Sequence, residues 1–156
     1  MTTRALAIRS LEERPDAAAV LAEWFIAEWP EYHRRRSLPD VATQFRLVSD
    51  VQQTLIAEIG DEVVGTVAVR GRWEAAPEFP SPWIGGLFVV PQYRDQGIGS
   101  ALVEAALAEA TAAGHAIVHM AVRVDPASYL SRGWQVVGTV FSGDESVTVL
   151  RFETGP

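Results

Sequence analysis

The sequence contains no cysteine, no lysine and no asparagine among its 156 residues. Without cysteine there can be no disulfide framework, zinc thiolate site, iron–sulfur cluster or thiol nucleophile. Without lysine there can be no Walker-type phosphate site and no Schiff-base or pyridoxal phosphate chemistry, because each needs a lysine amine or ammonium group. The 13 basic residues counted with lysine are therefore all arginines.

Acidic residues outnumber these arginines by 20 to 13, so the formal net charge is −7 at pH 7. A negative surface repels phosphate backbones, and the dense basic run from His33 to Arg36 spans only four residues. Nucleic acid is therefore not an expected partner, whereas small cations are. Met1 to Ser10 lacks an apolar signal core, and no segment has the roughly 20 apolar residues of a membrane span. We expect a cytoplasmic protein without membrane contact.

Hydrophobic residues make up 48% of the chain, which is the balance of a folded globule, and the length suits a single domain over residues 1–156. The order of its predicted elements indicates an α/β fold. The spacing of apolar residues predicts four helices, which begin near Pro15, Ser37, Gly97 and Asp125. The predicted strands are Ala5 to Leu11, Gln53 to Ile59, Val63 to Val69, Trp83 to Val90, Ala116 to Val124, Val136 to Phe141 and Val147 to Phe152. This order predicts a mixed sheet flanked by helices.

Two connections predict how the strands pair. The fourth strand, third helix and fifth strand form a βαβ unit, so strands four and five are expected to be parallel. The short connection Gly60-Asp61-Glu62 predicts an antiparallel hairpin between strands two and three. A ligand site is expected where the βαβ unit opens, beside the carboxyl end of strand four.

The segment from Leu87 to Leu102 runs from a strand through a short turn into a helix that begins with Gly97 and Gly99. Glycines there remove Cβ atoms and let phosphates approach the unpaired amides of the first turn, where the helix dipole favours negative charge. Taken alone, Gly-x-Gly is as compatible with a tight turn or close helix–strand packing. It is not the dinucleotide fingerprint, which needs a third glycine at the position of Leu102.

Two ordered motifs make a more specific resemblance. Arg94-x-x-Gly97-x-Gly99, after a strand ending Val-Val-Pro, resembles the acyl-CoA signature of the GNAT superfamily of N-acetyltransferases. The later segment Tyr129 to Trp134 is similar to the Y-x-x-x-G-[FW] segment of that superfamily. The predicted element order resembles the same fold from Ala5 to Phe152. The resemblance implies about seven strands flanked by about four helices, a sheet splayed between strands four and five, and acetyl-CoA as cofactor.

The resemblance places the cofactor along strand four and the start of the third helix. It implies that the amides of Gly97 through Ala101 hold the pyrophosphate, and that Asp95 stands where the family commonly has glycine. We expect the Asp95 carboxylate to point to solvent. The implied cofactor residues are Leu87, Phe88, Val89, Val90, Arg94, Asp95, Gln96, Gly97, Ile98, Gly99, Ser100, Ala101, Tyr129 and Arg132.

Two catalytic groups are implied by the same resemblance. The amide of Val89 would polarise the thioester carbonyl, which is the role of an oxyanion hole. The hydroxyl of Tyr129 would protonate the departing thiolate. A phenol suits that task because it is not ionised at neutral pH and can donate its proton.

The general base is not identified, because Gly85 stands where many relatives carry a catalytic glutamate. Some group or water chain must accept a proton, since an alkylammonium has a pKa of about 10.4 and only the neutral amine is a nucleophile. The candidates are His119, Glu28, Glu31 and His33. For His119 the favoured alternative is a satisfied, half-buried histidine, and for Glu28 and Glu31 it is a solvated helix end.

The resemblance implies that the acceptor lies beside the end of the first helix, and the proline-rich loop from Gly71 to Pro82 suits a wall of the same site. The predicted acceptor contacts are Glu28, Trp29 and Trp83, whereas Trp24 is assigned to packing and Arg34 to Arg36 to a solvated cluster. Carboxylates near these places favour a cationic amine, unless they only solvate the surface. These carboxylates are Glu23, Glu28, Glu31, Glu74 and Glu78.

The sequence thus predicts an acetyl-CoA-dependent N-acetyltransferase that acts on the primary amine of a small molecule. Two alternatives stay open. One is a non-catalytic acyl-CoA-binding or regulatory module, which the glycine at position 85 keeps open, and the other is acetylation of protein N-termini or lysines. No metal is expected, and a homodimer is left open.

Overall fold

A computed structural model describes residues 5–30, 37–45, 53–71, 73, 75–80, 82–142 and 144–154. The strands are β1 (Leu6–Ser10), β2 (Gln53–Ile59), β3 (Glu62–Arg70), β4 (Trp83–Val89), β5 (Ile117–Val122), β6 (Gln135–Ser142) and β7 (Glu145–Glu153). The α-helices of these residues are α1 (Ala17–Glu28), α2 (Leu38–Phe45), α3 (Ile98–Ala112) and α4 (Ala127–Leu130). The predicted elements are confirmed with small shifts at their ends. The apolar spacing of Val41, Phe45 and Val48 predicts that the second helix extends to Val48, which lies outside the described residues.

The strands form one mixed sheet in the order β1-β2-β3-β4-β5-β7-β6. β4 and β5 are parallel, as predicted, and the other neighbouring strands are antiparallel. The predicted β2–β3 hairpin is confirmed, but Glu62 pairs with Ile59, so the connection has two residues and not three. Gly60 has φ +64°, which suits the first position of such a tight turn.

Local sequence explains the ends of the first two helices. α1 follows Pro15 and ends before Pro30, which cannot donate the backbone hydrogen bond that would continue the helix. α2 begins with reciprocal hydrogen bonds between Ser37 and Asp40. The Asp40 amide donates to the Ser37 hydroxyl at 3.3 Å, and the Ser37 amide donates to the Asp40 carboxylate at 3.2 Å. This capping box satisfies amides that the first turn leaves unpaired.

The two faces of the sheet are covered by different elements, because side chains alternate along each strand. The α3-side core contains Leu55, Val67, Ile84, Leu102, Val118 and Leu150. The α1-side core on the opposite face contains Leu21, Phe25, Val41 and Ile56. The loop core, beneath the described part of the 71–82 loop, contains Ala76, Trp83, Val140, Val147 and Val149.

β4 carries a bulge that changes its relation to both neighbouring strands. Phe88 pairs with Thr66 and Gly85 with Ala68, so two β4 residues, Gly86 and Leu87, stand opposite a single β3 residue. Gly86 has φ +63°, a conformation that favours glycine. β5 pairs with β4 at Trp83 and Ile84 only, and the two strands separate beyond these residues. The splay implied by the resemblance therefore exists and begins at the bulge.

Candidate active site

The opening between β4 and β5 receives the backbone amide of Val89. Opposite pairs in an antiparallel ladder alternate between hydrogen-bonded and non-bonded pairs. The amide of Val90 donates to the Val64 carbonyl at 2.9 Å, so the neighbouring pair, Val89 and Gly65, is the non-bonded kind. The N–H of Val89 therefore points away from β3 and into the opening, where it can reach a ligand.

Arg94 ties the end of β4 to the turn that follows it. Its Nε donates to the Val89 carbonyl at 2.8 Å, and its guanidinium carbon lies 5.3 Å from the centre of the Phe88 ring. Gln96 donates to the Gln92 carbonyl at 3.4 Å within the same turn. Both side chains frame the turn between strand and helix, as the resemblance implies.

The helix α3 begins at a glycine in the left-handed conformation, Gly97 with φ +84°. No side chain caps this end, and the first helical hydrogen bond runs from the Ala101 amide to the Gly97 carbonyl at 3.0 Å. The amide of Ala101 was predicted to be free for the pyrophosphate, but it donates within the helix and is not available. The amides of Ile98, Gly99 and Ser100 precede that bond, so the α-helical pattern supplies no acceptor for them.

Gly99 leaves open space beside this helix start. Its backbone is not in the left-handed region, and the nearest atom to an added Cβ would be Val89 Cγ2 at 3.9 Å, an ordinary contact. The packing of the protein therefore does not require glycine at this position. The missing Cβ leaves room beside the helix amides, which is what a phosphate oxygen needs for close approach.

Asp95 has φ +62°, and among the described residues it alone combines a side chain with a positive φ. It is exposed, as expected from the sequence. The structure adds a reason for the family's glycine at this position, since a left-handed conformation costs a non-glycine residue about 1–2 kcal/mol. Asp95 thus places both backbone strain and a carboxylate in the turn before Gly97.

Replacing Asp95 by glycine is expected to raise the free energy of unfolding by about 0.5–1 kcal/mol, because the strain is larger than the entropy that glycine adds to the unfolded chain. The same change should strengthen CoA binding by removing a negative charge. Asp95→Asn is the matched control, since it removes the charge and keeps the side chain. Urea unfolding and calorimetric titration would measure both effects, and a glycine variant less stable than wild type would contradict this account.

Tyr129 lies on α4 and packs against the α3-side core, which also contains Val89. Its phenol is half-buried. Burial raises the pKa of Tyr129 above its usual value of about 10, and the nearby cation of Arg132 opposes that shift. Arg132 is exposed in the turn after α4. The phenol is therefore protonated at neutral pH, as a general acid must be.

His119 and Trp83 lie at the closed end of the β4–β5 pair, where the two residues are in register. Their rings are 5.4 Å apart, and only 2% of His119 and 4% of Trp83 is exposed. His119 Nδ1 donates to the Pro80 carbonyl at 2.9 Å, and burial lowers the pKa of this histidine. His119 is a satisfied, buried neutral histidine, the alternative favoured from sequence, and its position does not support a role as general base. Trp83 could contact an acceptor only if the loop above it moved.

The end of α1 places aromatic side chains beside β4. The α1 aromatic cluster comprises Trp24, Phe25, Trp29 and Phe88, with ring centroids 4.9 Å apart for Phe25 and Trp29, 5.4 Å for Trp24 and Phe88, and 6.4 Å for Trp29 and Phe88. Glu28 is exposed beside it. Trp24 packs in this cluster but is only half-buried. Glu31, His33, Arg34 to Arg36 and Glu74 lie outside the described residues.

Arg70, the last residue of β3, is not among the site residues predicted from the sequence. Its side chain lies over Gly85 and Gly86, with Cδ 3.9 Å from the place of a Gly85 Cβ and Nη2 2.8 Å from that of a Gly86 Cβ. Two adjacent glycines inside a strand indicate a bulge or a close approach, and this signal was present in the sequence. It could not reveal which side chain makes the approach.

The described residues contain no group of three or more histidines and carboxylates that could hold a metal ion. Within the same ranges no helix is long and apolar enough to cross a membrane. The site built by β4, the turn after it, α3 and α4 contains backbone amides, aromatic rings and the phenol of Tyr129.

Solved structures of several acetyltransferases have a fold similar to that of this protein. The solved GNAT acetyltransferase from Streptococcus pneumoniae is 19% identical and superposes with a TM-score of 0.72 over 97% of this chain and 100% of that one. An aminoglycoside 6′-N-acetyltransferase complexed with coenzyme A is 16% identical, with a TM-score of 0.74 and coverage of 96% and 98%. YncA from Salmonella typhimurium, solved with its cofactor acetyl-CoA, is 15% identical, with a TM-score of 0.74 and coverage of 97% and 95%.

These superpositions show a shared fold. A search of curated proteins gave no significant match. The family is shown by the sequence itself. A family model described as acetyltransferase (GNAT) family matches residues 18–129, which include β4, the glycine-opened start of α3 and Tyr129. The chain therefore belongs to the GNAT family of acetyltransferases.

Proposed function

We propose that this protein transfers the acetyl group of acetyl-CoA directly to the primary amine of a small molecule. The observation that carries the proposal is the helix start at Gly97 and Gly99, which offers amides and open space beside the Val89 amide in the β4–β5 opening. An extended ligand with phosphates at one end and a carbonyl at the other fits such a series of donors. Acetyl-CoA is such a ligand, and YncA was solved with it.

Residues at the two ends of the site have different tasks toward this cofactor. The amides of Ile98, Gly99 and Ser100 would hold the pyrophosphate at the positive end of the α3 dipole. The backbone groups from Leu87 to Val90 that face away from β3 would pair with the pantetheine arm as another strand would. Arg94 would contribute by holding the Val89 carbonyl, which belongs to the peptide unit next to the one that carries the Val89 N–H.

Bound acetyl-CoA supplies an acetyl group that is activated as a thioester. The Val89 N–H would donate to the carbonyl oxygen as negative charge develops there, in a partly desolvated place where such a bond is strong. Tyr129 would hold a proton at its hydroxyl and release it to the sulfur as the carbon–sulfur bond breaks. Gly85 offers no carboxylate to the amine, so water would carry away the proton lost by the acceptor.

The acceptor is proposed to be cationic before it reacts. Glu28 is exposed at the end of α1, and Glu78 is exposed on the 71–82 loop. Carboxylates at these places, together with a net charge of −7, would raise the local concentration of an ammonium group. Aminoglycosides, the substrates named for one of the similar structures, are small polyamines of this kind.

A thiol-release assay with acetyl-CoA and a panel of primary amines tests the proposal. We expect thiol release to match acetamide formation, and KM for the amine to rise with ionic strength, since charges more than about 10 Å apart are screened at 0.1 M salt. Tertiary amines of the same skeleton are the matched control and should release no thiol. CoA binding without thiol release for any amine would instead indicate the non-catalytic module that Gly85 keeps open.

A further inference from the structure

The face of the sheet opposite α3 is covered by two separate elements. α1 lies over the half that ends at β4, where Phe88 packs against the α1-side core. The described part of the 71–82 loop lies over strands on the other side of the β4–β5 opening, where Val149 of β7 packs in the loop core. Val149 faces away from α3, because its neighbour Leu150 packs into the α3-side core. An acceptor that approaches the opening from this face therefore passes between α1 and the loop.

His119 of β5 holds this loop with both its side chain and its backbone. Its Nδ1 donates to the Pro80 carbonyl at 2.9 Å, and its backbone amide donates to the Pro82 carbonyl at 3.1 Å. Trp83 of β4 donates from Nε1 to the carbonyl of Phe79 at 3.2 Å. Two consecutive loop carbonyls are thus held by side chains from the two strands that separate at the opening.

Phe79 anchors the same part of the loop to β6. Its ring occupies the place of a side chain at Gly138, where an added Cβ would lie 3.0 Å from Phe79 Cζ. The ring of His119 lies 5.5 Å from that of Phe79, and the ring of Trp83 lies 6.4 Å from it. Apolar packing attracts without direction, whereas hydrogen bonds depend on distance and angle. The packing therefore keeps the loop on the sheet, and the two side-chain hydrogen bonds define where it lies.

His119 is an energetically unfavourable choice for a position that only needs to be filled. It is buried between the rings of Phe79 and Trp83, and this burial disfavours its charged form. An apolar side chain could occupy the same space without removing a polar ring from water. What a histidine adds here is its Nδ1–H, which meets the Pro80 carbonyl.

We propose that His119 is a positioning residue for the acceptor, because its bond to the Pro80 carbonyl holds the 71–82 loop as the wall of the acceptor side that faces α1. This inference rests on the proposed function and adds to it a group that fixes the acceptor site from a distance. The proposed CoA contacts lie elsewhere, at the end of β4 and the start of α3. A displaced loop should therefore weaken acceptor binding and leave cofactor binding unchanged.

His119→Leu and His119→Asn separate the hydrogen bond from the space that the ring fills. Leucine has no donor, whereas the side-chain N–H of asparagine stands close to the place of Nδ1 and can still donate to the Pro80 carbonyl. We expect KM for the amine to rise about 3- to 10-fold in His119→Leu, the value of one lost hydrogen bond. The kcat and the Kd of CoA should stay within about twofold of wild type. His119→Asn should restore most of the acceptor KM.

Hydrogen exchange gives a second readout that needs no turnover. The Phe79 amide donates to the Ala76 carbonyl at 3.1 Å within the loop, so its exchange reports whether the loop is held. Exchange should be faster in His119→Leu than in wild type or in His119→Asn. Gly138→Ala should act from β6 in the same direction, because the added methyl group displaces the Phe79 ring.

Val118→Ala is the matched control, because Val118 precedes His119 on β5 and packs into the α3-side core. It should lower the temperature of unfolding without changing the acceptor KM or the exchange of the Phe79 amide. Wild-type KM and exchange in a folded His119→Leu protein would overturn the assignment and leave the proposed function standing. Equal impairment of the asparagine and leucine variants would show that the ring only fills space. Failure of wild type to acetylate any amine would overturn the proposed function, and this role of His119 with it.

Discussion

Replacing Tyr129 by phenylalanine is expected to lower kcat for acetyl transfer by about 10²- to 10⁴-fold, the usual contribution of one general acid. The ring would still pack against the α3-side core, so folding and the Kd of CoA should stay close to wild type. Only the proton offered to the departing sulfur is lost. Turnover assays combined with calorimetric titration separate these quantities.

The pH dependence of the same variant gives a second readout. Burial raises the pKa of Tyr129, so the phenol stays protonated beyond the value of about 10 at which a free tyrosine ionises. Activity that depends on the protonated phenol should therefore fall only at pH values above that point. Tyr129→Phe should lack this alkaline decline, because it has no proton to lose.

Tyr93→Phe provides the matched control for this experiment. The Tyr93 hydroxyl donates to Glu62 at 3.0 Å in an exposed hydrogen bond between the turn after β4 and β3. Its loss should change kcat little. Wild-type turnover by Tyr129→Phe at every pH would assign protonation of the thiolate to water and remove the tyrosine from the mechanism.

Substitutions of Gly99 are expected to affect folding and CoA binding in opposite directions. Gly99→Ala should leave the fold intact or stabilise it by up to about 1 kcal/mol, since alanine is the better helix residue and its Cβ meets only Val89 at 3.9 Å. The same methyl group would stand where a phosphate oxygen must approach the helix amides. Losing one or two charge-assisted hydrogen bonds should weaken CoA binding by about 10²-fold or more.

Gly99→Val enlarges the obstruction, and Ala112→Val adds the same side chain to the exposed last turn of α3. The valine at position 112 should reduce helix stability slightly without changing CoA affinity. Thermal unfolding and calorimetric titration of the three variants would measure both effects. Wild-type CoA affinity in a folded Gly99→Val protein would show that the phosphates do not bind at the start of this helix.

Local patterns predicted the order of elements along the chain, the parallel β4–β5 pair and the glycine-opened helix, because each depends on short-range spacing or on the geometry of a βαβ unit. The reciprocal bonds of Ser37 and Asp40 were equally readable, since both partners lie within one turn. These features need no knowledge of which distant residues meet.

Other features depend on tertiary contacts, and the sequence did not reveal them. The positive φ of Asp95 follows from how the turn joins β4 to α3. The sequence could not decide whether His119 is a general base or a satisfied histidine, because its environment is formed by the Pro80 carbonyl and the Trp83 ring, which are distant in sequence. Arg70 is separated from Gly86 by 16 positions, and only the sheet register brings them together.

The bulge in β4 changes which face of the sheet the side chains point to between the two halves of the strand. Ile84 and Val89 both pack into the α3-side core although they are five positions apart, an odd spacing that a regular strand would direct to opposite faces. Shortening β4 by one residue at Gly86 would force one half to slide and turn its side chains over. The direction of the Val89 amide therefore depends on the number of residues in this strand as well as on their identity. Insertions or deletions between Ile84 and Val89 are less tolerable than substitutions there.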